Sequence, residues 1–406
     1  MRGILTLNTG SSSLKFGLYA DAPEPEELLT GQVDGIGKTA RLVLRKNGDK
    51  TTLEVAAATH AAAISAVMAV LHDSLDGLKI AGVGHRIVHG GLDFCGPATL
   101  TPDVIETLSG LIPLAPLHQP HNLAGVHVAK AAFPDAVQVG CFDTAFHRGH
   151  PWVNDTFAIP RRHYDEGVRR YGFHGVSYDY VTGEVKRAFP NLHRGRIIIA
   201  HLGNGASMCA VRAGQSVGST MGFTALDGLP MGTRCGQIDP GAVLHLIEQV
   251  GMSPREVREM LYDRSGLLGL SGISSDMRTL MKSESPDAAE AIDYYVFRAR
   301  REIGALAAVL GGLDGLIFCG GIGENAAPIR QRIVKGLEFL GIEINAEANA
   351  NRETEIGTGP TRVLVIPTDE ERVIARAVHA ALTRGQSRVR YAFPSSGQTD
   401  EHRPGR

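Results

Sequence analysis

The chain is poor in the features that mark small, secreted or membrane proteins. It has 1 Trp, and aromatic residues make up 6% of the 406 positions. Its cysteines, Cys95, Cys141, Cys209, Cys235 and Cys319, are odd in number, far apart and never in a C-x-x-C pair. That argues against a disulfide framework or a structural zinc site and fits a reducing compartment. Charge of one sign is also missing, since 41 basic and 43 acidic side chains leave a formal net charge of −2. No global field draws nucleic acid, and no polybasic run suits a membrane surface. No stretch supplies the roughly 18 uninterrupted apolar residues of a membrane span, and the N-terminal MRGILTLNTGSSSLKF soon turns polar. A cytoplasmic protein is expected, without nucleic-acid or membrane partners, whose anionic ligands are held by local residues.

What is present is a core former. With 43% hydrophobic and 21% charged residues, a chain of this length buries a sizeable core and suggests two domains. Apolar and β-branched runs at 4–7, 14–19, 80–88, 136–141, 196–201, 208–212, 316–319 and 363–366 read as strands. Residues 57–75, 120–132 and 286–310 have helical spacing. Ser253-Pro254-Arg255-Glu256 and Thr368-Asp369-Glu370-Glu371 read as capping boxes, the second opening a helix toward Thr383. The pattern is α/β.

Two segments look alike. Residues 4–7 run into Asn8-Thr9-Gly10-Ser11-Ser12-Ser13 and out through 14–18, while residues 196–202 run into Gly203-Asn204-Gly205-Ala206-Ser207 and out through 208–211. Such turns expose backbone N–H groups and hydroxyls without side-chain bulk, so they can approach a phosphate closely. One copy is an ordinary hairpin. Two copies half a chain apart point to duplicated domains facing one nucleotide. The tail after Arg384 is polar and aperiodic and reads as disordered.

Residues 35–39 carry the GKT ending of a P-loop, but Gln32 stands where that pattern needs glycine, so they read as a surface turn. Residues 316–325 read as a strand and a glycine-rich turn opening a helix at Ala326; that alanine breaks G-x-G-x-x-G and disfavours a dinucleotide site. Arg86, in Gly84-His85-Arg86-Ile87-Val88-His89-Gly90-Gly91, ends a strand with a planar fork that suits a carboxylate. Asp143 follows another strand, where ligands of α/β sheets gather. Glycines flank His174 in residues 170–175 and Arg234 in residues 232–240. A structural ion pair explains any one of these clusters; their number favours a site.

The runs NTGSSSLKF, GHRIVHGG, LAPLHQPHN, FDTAFH, RYGFHGVS, HLGNGAS, TRCGQIDPG, SSDMR, GGIGEN and IPTDEE, from Asn8 to Glu371, resemble the acetate and propionate kinase family of the sugar-kinase, Hsp70 and actin superfamily. The resemblance implies two duplicated ribonuclease H-like domains, the actin-like ATPase fold, around an interdomain nucleotide cleft. Residues 1–147 would form the acyl-substrate and phosphate domain, completed by a C-terminal helix at about 371–385, with 148–370 as the nucleotide-binding domain and 386–406 as the tail. It further implies a homodimer that uses ATP and Mg²⁺ or Mn²⁺ to phosphorylate acetate reversibly, giving acetyl phosphate and ADP. Propionate and butyrate are the alternative acceptors. An actin- or Hsp70-like nucleotide switch would share the hairpins but leave Arg86, His174 and Arg234 without a purpose.

By matching motif, Asn8 and Glu370 would position the metal, partly through water, and Lys15 would contact phosphates. Arg86 would grip the substrate carboxylate, and Val88, Leu117 and Phe173 would line its methyl pocket. Asp143 would be the active-site acid, placing metal or water because a carboxylate substrate has no proton to lose. His174 and Arg234 would stabilise the phosphoryl group in flight. His201, Leu202, Gly203, Asn204 and Gly205 would contact ATP, as would Asp276, Met277 and Arg278, and Gly321, Ile322, Gly323, Glu324 and Asn325. The sequence departs from the family pattern at Thr9, where Ala is common, and at Cys235 and Gln237, where Ser and Asp are common. Gln237 removes a charge expected to orient Arg234, and Ala225, standing where proline is common, implies a roomier pocket tolerant of propionate.

Overall fold

The computed structural model describes residues 2–10, 13–37, 39–46, 48–74, 77–116 and 118–384. Leu117 and the tail after Arg384 lie outside the described residues, as do Ser11, Ser12 and Lys38 of the turns read above. The strands are β1 (Arg2–Thr9), β2 (Ser13–Ala20), β3 (Glu27–Asp34), β4 (Ala40–Lys46), β5 (Asp49–Val55), β6 (Lys79–Ile87), β7 (Ala98–Thr99) and β8 (Val137–Phe142), then β9 (Arg196–Leu202), β10 (Ala206–Arg212), β11 (Gln215–Ser219), β12 (Gly315–Cys319) and β13 (Arg362–Val365). They form one sheet in the order β5-β4-β3-β2-β1-β6-β8-β7 and a second in the order β11-β10-β9-β12-β13. In the first, β1, β2 and β3 pair antiparallel and β1, β6 and β8 parallel. The second repeats this wiring with β9, β10 and β11 antiparallel and β9, β12 and β13 parallel. The likeness of the two hairpins therefore extends to whole five-stranded sheets, and β4, β5 and β7 are additions to the first.

Helices α1 (His60–Ser74), α2 (Gln119–Ala132), α3 (Gly175–Ala188), α4 (Pro286–Leu310), α5 (Gly320–Asn325) and α6 (Glu370–Thr383) cover these sheets. β9 shows why: Ile197 and Ile199 pack on Val181 and Val185 of α3, while Ile198 and Ala200 join Ala299 and Ile303 of α4. An apolar run buried on both faces is what a parallel sheet covered by helices requires. In the first sheet Leu5, Leu7 and Phe16 meet Ile64 and Val67 of α1, and the opposite face, with Ile4 and Val139, receives Ala375 and Val378 of α6. That helix lies directly on the β6 backbone. A Cβ at Gly84 would come within 2.2 Å of Ile374, and one at Gly82 within 2.4 Å of Val378. α3 and α6 touch through Val176 and Ile374, so a two-helix layer joins the sheets.

Two local expectations change. The glycines after β12 are themselves helical, forming α5 from Gly320 with a second helix at Ala327–Val334, instead of a turn that opens one helix at Ala326. α6 is capped by Asp369, whose Oδ1 accepts from the Arg372 N–H at 3.0 Å, because the Thr368 N–H is engaged by Glu324 Oε1 at 3.1 Å. The box at Ser253 forms with both reciprocal bonds. Among the described residues no helix is long and apolar enough to cross a membrane.

Candidate active site

The C-terminal ends of β1, β6 and β8 lie side by side, which gathers Asn8, Arg86 and Asp143. Arg86 donates from Nε to Asp143 Oδ1 at 2.9 Å and from Nη2 to Oδ2 at 2.8 Å. Its Nη1 donates to Glu370 Oε2 at 2.8 Å, and Asn8 Nδ2 reaches the same oxygen at 2.9 Å. The Ser177 hydroxyl, at the start of α3, donates to Glu370 Oε1. Burial opposes the charge on Arg86, but Asp143 and Glu370 outweigh it and raise the guanidinium pKa. Burial pushes the Asp143 carboxyl up against the pull of Arg86. It also acts on Glu370, where Arg86, His201 and the Ser177 hydroxyl prevail and hold the carboxyl below the usual range.

This geometry bears on two expectations. The Nε–Nη2 fork of Arg86 is taken by Asp143, and Nη1 donates to Glu370 and, at 3.4 Å, to Asn8 Oδ1, so four of the guanidinium's five donors are engaged and one remains for a substrate carboxylate. Asp143, only 2% exposed, directs one oxygen at Nε and the other at Nη2 of Arg86.

His174 stands immediately before α3, in a left-handed conformation at φ 59° and ψ 20°. Such a backbone costs about 1–3 kcal/mol in a non-glycine residue. Its ring stacks on His201 with centroids 4.4 Å apart, and Nδ1 lies 2.8 Å from Ser207 Oγ. Gly205, in the β9–β10 turn, ties these groups to Arg234: a Cβ there would stand 3.2 Å from His174 Nε2 and 3.8 Å from Arg234 Nη1. Arg234 donates to the Ala225 carbonyl at 3.1 Å, and among the described residues no carboxylate forms an ion pair with it. Burial lowers its pKa, with the like charge of Arg86 adding to the effect. Burial likewise drives His174 far below its ordinary value, helped by His201, Arg86 and Arg234. His174 is thus a neutral imidazole at pH 7.

His118 shares this field, its pKa lowered to about 4 by burial, Arg234 and Arg86. Sequence reasoning assigned it no role, although it lies in the LAPLHQPHN run. Ser177 and Ser207 were also passed over as partners, although each closes a quoted motif, RYGFHGVS and HLGNGAS.

The other proposed nucleotide contacts divide. A Cβ at Gly203 would lie 3.8 Å from the Gly321 nitrogen and 3.9 Å from His201 Nε2, and the Cβ direction of Gly321 faces open space. A Cβ at Gly232 would meet Asn204 Oδ1 at 2.2 Å and the Ser275 carbonyl at 3.2 Å, so this turn adjoins the segment of Asp276, Met277 and Arg278. Asp276 and Arg278 pair with each other at 2.7 Å, while Met277 and Leu202 are core residues. Ile322 packs on the same core. Glu324 accepts from the Gly320 N–H at 2.9 Å, and Asn325 from Arg352 at 2.8 Å. Gly323 offers its carbonyl to the buried Arg330 at 2.7 Å. Of the glycines in these segments, Gly321 is the one whose Cβ direction meets no atom within 4 Å.

Lys15 sits opposite Asn8 in the β1–β2 register and lines a hollow of about 410 Å³ with Tyr19, Asp369 and Glu371. Val88 and Phe173 belong to one apolar cluster with Met231, Phe223 and Ala225, the residue whose carbonyl holds Arg234. Gln237 does not orient Arg234: its Oε1 accepts from Arg298 at 2.9 Å and from Arg301.

Two sheets of one wiring, joined by a helix layer with a polar cluster at the strand ends, define the duplicated actin-like ATPase fold, here in a phosphotransferase acting on a carboxyl group. The chain belongs to the acetokinase family, whose model matches residues 3–376. It is 49% identical over 396 residues to the acetate kinase of Methylocella silvestris, covering 94% of this chain and 98% of that protein. With the acetate kinase of Nitrobacter hamburgensis it shares 48% over 400 residues, covering 96% and 99%. Among solved structures, a propionate kinase from Francisella tularensis matches with a TM-score of 0.88 at 36% identity, covering 93% of this chain and 99% of that one. The acetate kinase of Porphyromonas gingivalis matches at 0.85 with 38% identity, covering 94% and 100%.

Proposed function

We propose that this chain is an ATP-dependent acetate kinase, moving the γ-phosphoryl group of ATP to acetate and back from acetyl phosphate to ADP. The observation that carries the reading is the convergence of Arg86, His174 and Arg234, with Arg234 half-buried and bonded to the Ala225 carbonyl but to no carboxylate among the described residues. Carboxylic acids of this kind have a pKa of about 4, so acetate at neutral pH is already an anionic nucleophile and needs no base. What the reaction requires is the approach of two anions and neutralisation of the charge on the transferring group, which is positional and electrostatic work. Arg234 and the Nε2 side of His174 would face the phosphoryl oxygens, and the remaining N–H of Arg86 the acetate. Asp143 would hold Arg86 in place.

Asn8 and Glu370 fit Mg²⁺. Asn8 Oδ1 accepts only a long bond of 3.4 Å from Arg86, and a carboxylate keeps lone pairs beyond the bonds Glu370 accepts. Few protein ligands, completed by water and substrate phosphates, is the usual arrangement for this ion. Bound there, Mg²⁺ would neutralise phosphate charge. Lys15, Asn204, Gly205 and Gly321 would meet the nucleotide, and Val88, Phe173 and Ala225 the acyl methyl group.

The same reading divides the chain into residues 1–147, completed by α6, and residues 148–370, in a cytoplasmic homodimer. Support for a dimer is the apolar helix Pro240–Glu248, which buries no residue and is flanked in sequence by exposed Ile238 and Val250.

The test is trapping of acyl phosphate as a hydroxamate with purified protein, MgATP and acetate. Slow ATP hydrolysis without acyl phosphate would favour a nucleotide switch. Comparing kcat/KM for acetate, propionate and butyrate would expose a different acceptor preference, and the small Ala225 side chain favours tolerance of propionate.

A further inference from the structure

Ser207 Oγ lies 2.5 Å from Tyr178 Oη and 2.8 Å from His174 Nδ1. All three groups are held by regular structure: Tyr178 is in the first turns of α3, His174 caps that helix, and Ser207 is on β10. Tyr178 and Ser207 are both 0% exposed. Tyr178 is packed among Val181, Val185, Cys209 and Cys319, and Ser207 is the one hydrogen-bond partner of its hydroxyl among the described residues. A buried phenol must donate its proton to an acceptor or leave it unmet.

If Tyr178 donates to Ser207, the single serine proton is free to point at His174 Nδ1, which then accepts and carries no hydrogen. The reverse order strands the phenol proton in an apolar site, and an unmet buried donor weighs against that arrangement by roughly one to two powers of ten.

We infer that Tyr178 and Ser207 are positioning residues that fix the tautomer of His174, relaying a hydrogen-bond direction from the core so that His174 Nδ1 is bare and Nε2–H points at the cleft beside Gly205 and Arg234. The left-handed backbone of His174 and its stacking on His201 set where the ring lies; the relay sets which nitrogen donates. A neutral imidazole can assist a developing anion only with an N–H, so a ring of the other tautomer would turn a lone pair toward the phosphoryl oxygens. The catalytic consequence rests on the acetate kinase reading above, but the tautomer does not.

The experiment has two arms. In ¹⁵N spectra of the histidine-labelled wild-type enzyme, His174 is assigned by the signal lost in His174→Gln, and Nδ1 is expected as a proton-free nitrogen with Nε2 protonated. Tyr178→Phe is expected to lower kcat roughly tenfold while moving KM for ATP and acetate less than about twofold, and to give Nδ1 a protonated population. Ser207→Ala, which removes the donor altogether, should lower kcat at least as much. A protonated Nδ1 in the wild type overturns the inference, as does wild-type kcat in Tyr178→Phe or a loss confined to KM. Should Tyr178→Phe fail to fold, the wild-type spectrum decides alone. Absence of acyl phosphate from the wild type would remove the kinase reading and leave the spectral test intact.

Discussion

Acidification should unfold this chain before most of its carboxylates are neutralised, because histidines, His85, His89 and His147 among them, are buried in the neutral form. His89 and His147 are 0% exposed and His85 is 2% exposed. His147 lies 3.0 Å from the Phe173 carbonyl through Nε2 and 2.8 Å from Ser216 through Nδ1, while His85 meets Gln138 at 2.8 Å. The Nδ1 of His89 accepts from Gly91 at 2.9 Å. Burial holds His85 and His147 down to about 4 and His89 to about 3. Each folded pKa is thus below the unfolded value of about 6.5, so the unfolded chain takes up the proton first. Their contribution is complete above pH 6.5 and falls as pH drops, levelling off only near 4 for His85 and His147 and near 3 for His89. At about 1.4 kcal/mol per pH unit, each histidine removes about 2 kcal/mol between pH 7.5 and 5. Together they remove about 6 kcal/mol, against a typical total of about 5–15 kcal/mol. Chemical denaturation of the wild type and His147→Gln at both pH values is the assay, since glutamine can still donate to the Phe173 carbonyl without titrating. The variant should lose about 2 kcal/mol less than the wild type over the interval, and an identical loss would refute the argument.

The two arginines should part in their variants. Arg234→Ala should lower kcat on the order of 10³- to 10⁵-fold with little change in KM for ATP, whereas Arg86→Ala should raise KM for acetate and also cost about 3–5 kcal/mol of stability, because Asp143 and Glu370 lose their shared cation; steady-state kinetics beside thermal melts read both. Gly205→Ala should lower kcat at nearly unchanged stability, since its Cβ would stand 3.2 Å from His174 Nε2; wild-type kcat would show that the turn does not set the imidazole. Gln237→Asp should leave kcat unchanged and raise stability by up to about 1 kcal/mol, because its carboxylate would face Arg298 and Arg301; a changed kcat would restore the link to Arg234.

The strands that sequence reading found are those buried on both faces. β9 and β12 read as apolar runs because helices cover them on each side. β4 and β5 escaped it because their outer faces are open to water and carry residues such as Arg45, Lys46, Lys50 and Glu54, so neither alternation nor an apolar run stands out. The site residues were legible as motifs, but their bonding was not. Arg86 and Asp143 are 57 positions apart and Arg86 and Glu370 are 284 apart, a separation that no local pattern registers. The role expected of Gln237 failed for the same reason: proximity to Arg234 in sequence says nothing of Arg298 and Arg301, which reach it from α4.

Duplicated sheets do not carry duplicated chemistry here, and the strand ends show why. In the first sheet the parallel neighbours of the hairpin end in Arg86 and Asp143, and Arg86 pairs with both Asp143 and Glu370. By wiring, β12 and β13 occupy the same places in the second sheet, and they end at Cys319 and Val365, with no charge at either position. On the reading proposed above, the first sheet would hold a small anion and a metal, and the second would admit a nucleotide against bare backbone. The pieces joining the two are His174 and Glu370, each set at a helix start where a chain crossing between the sheets must pass. An exchange of roles between the hairpins would need charges that the second sheet lacks at these strand ends, so on the proposed reading acetate would lie against the first sheet and ATP against the second.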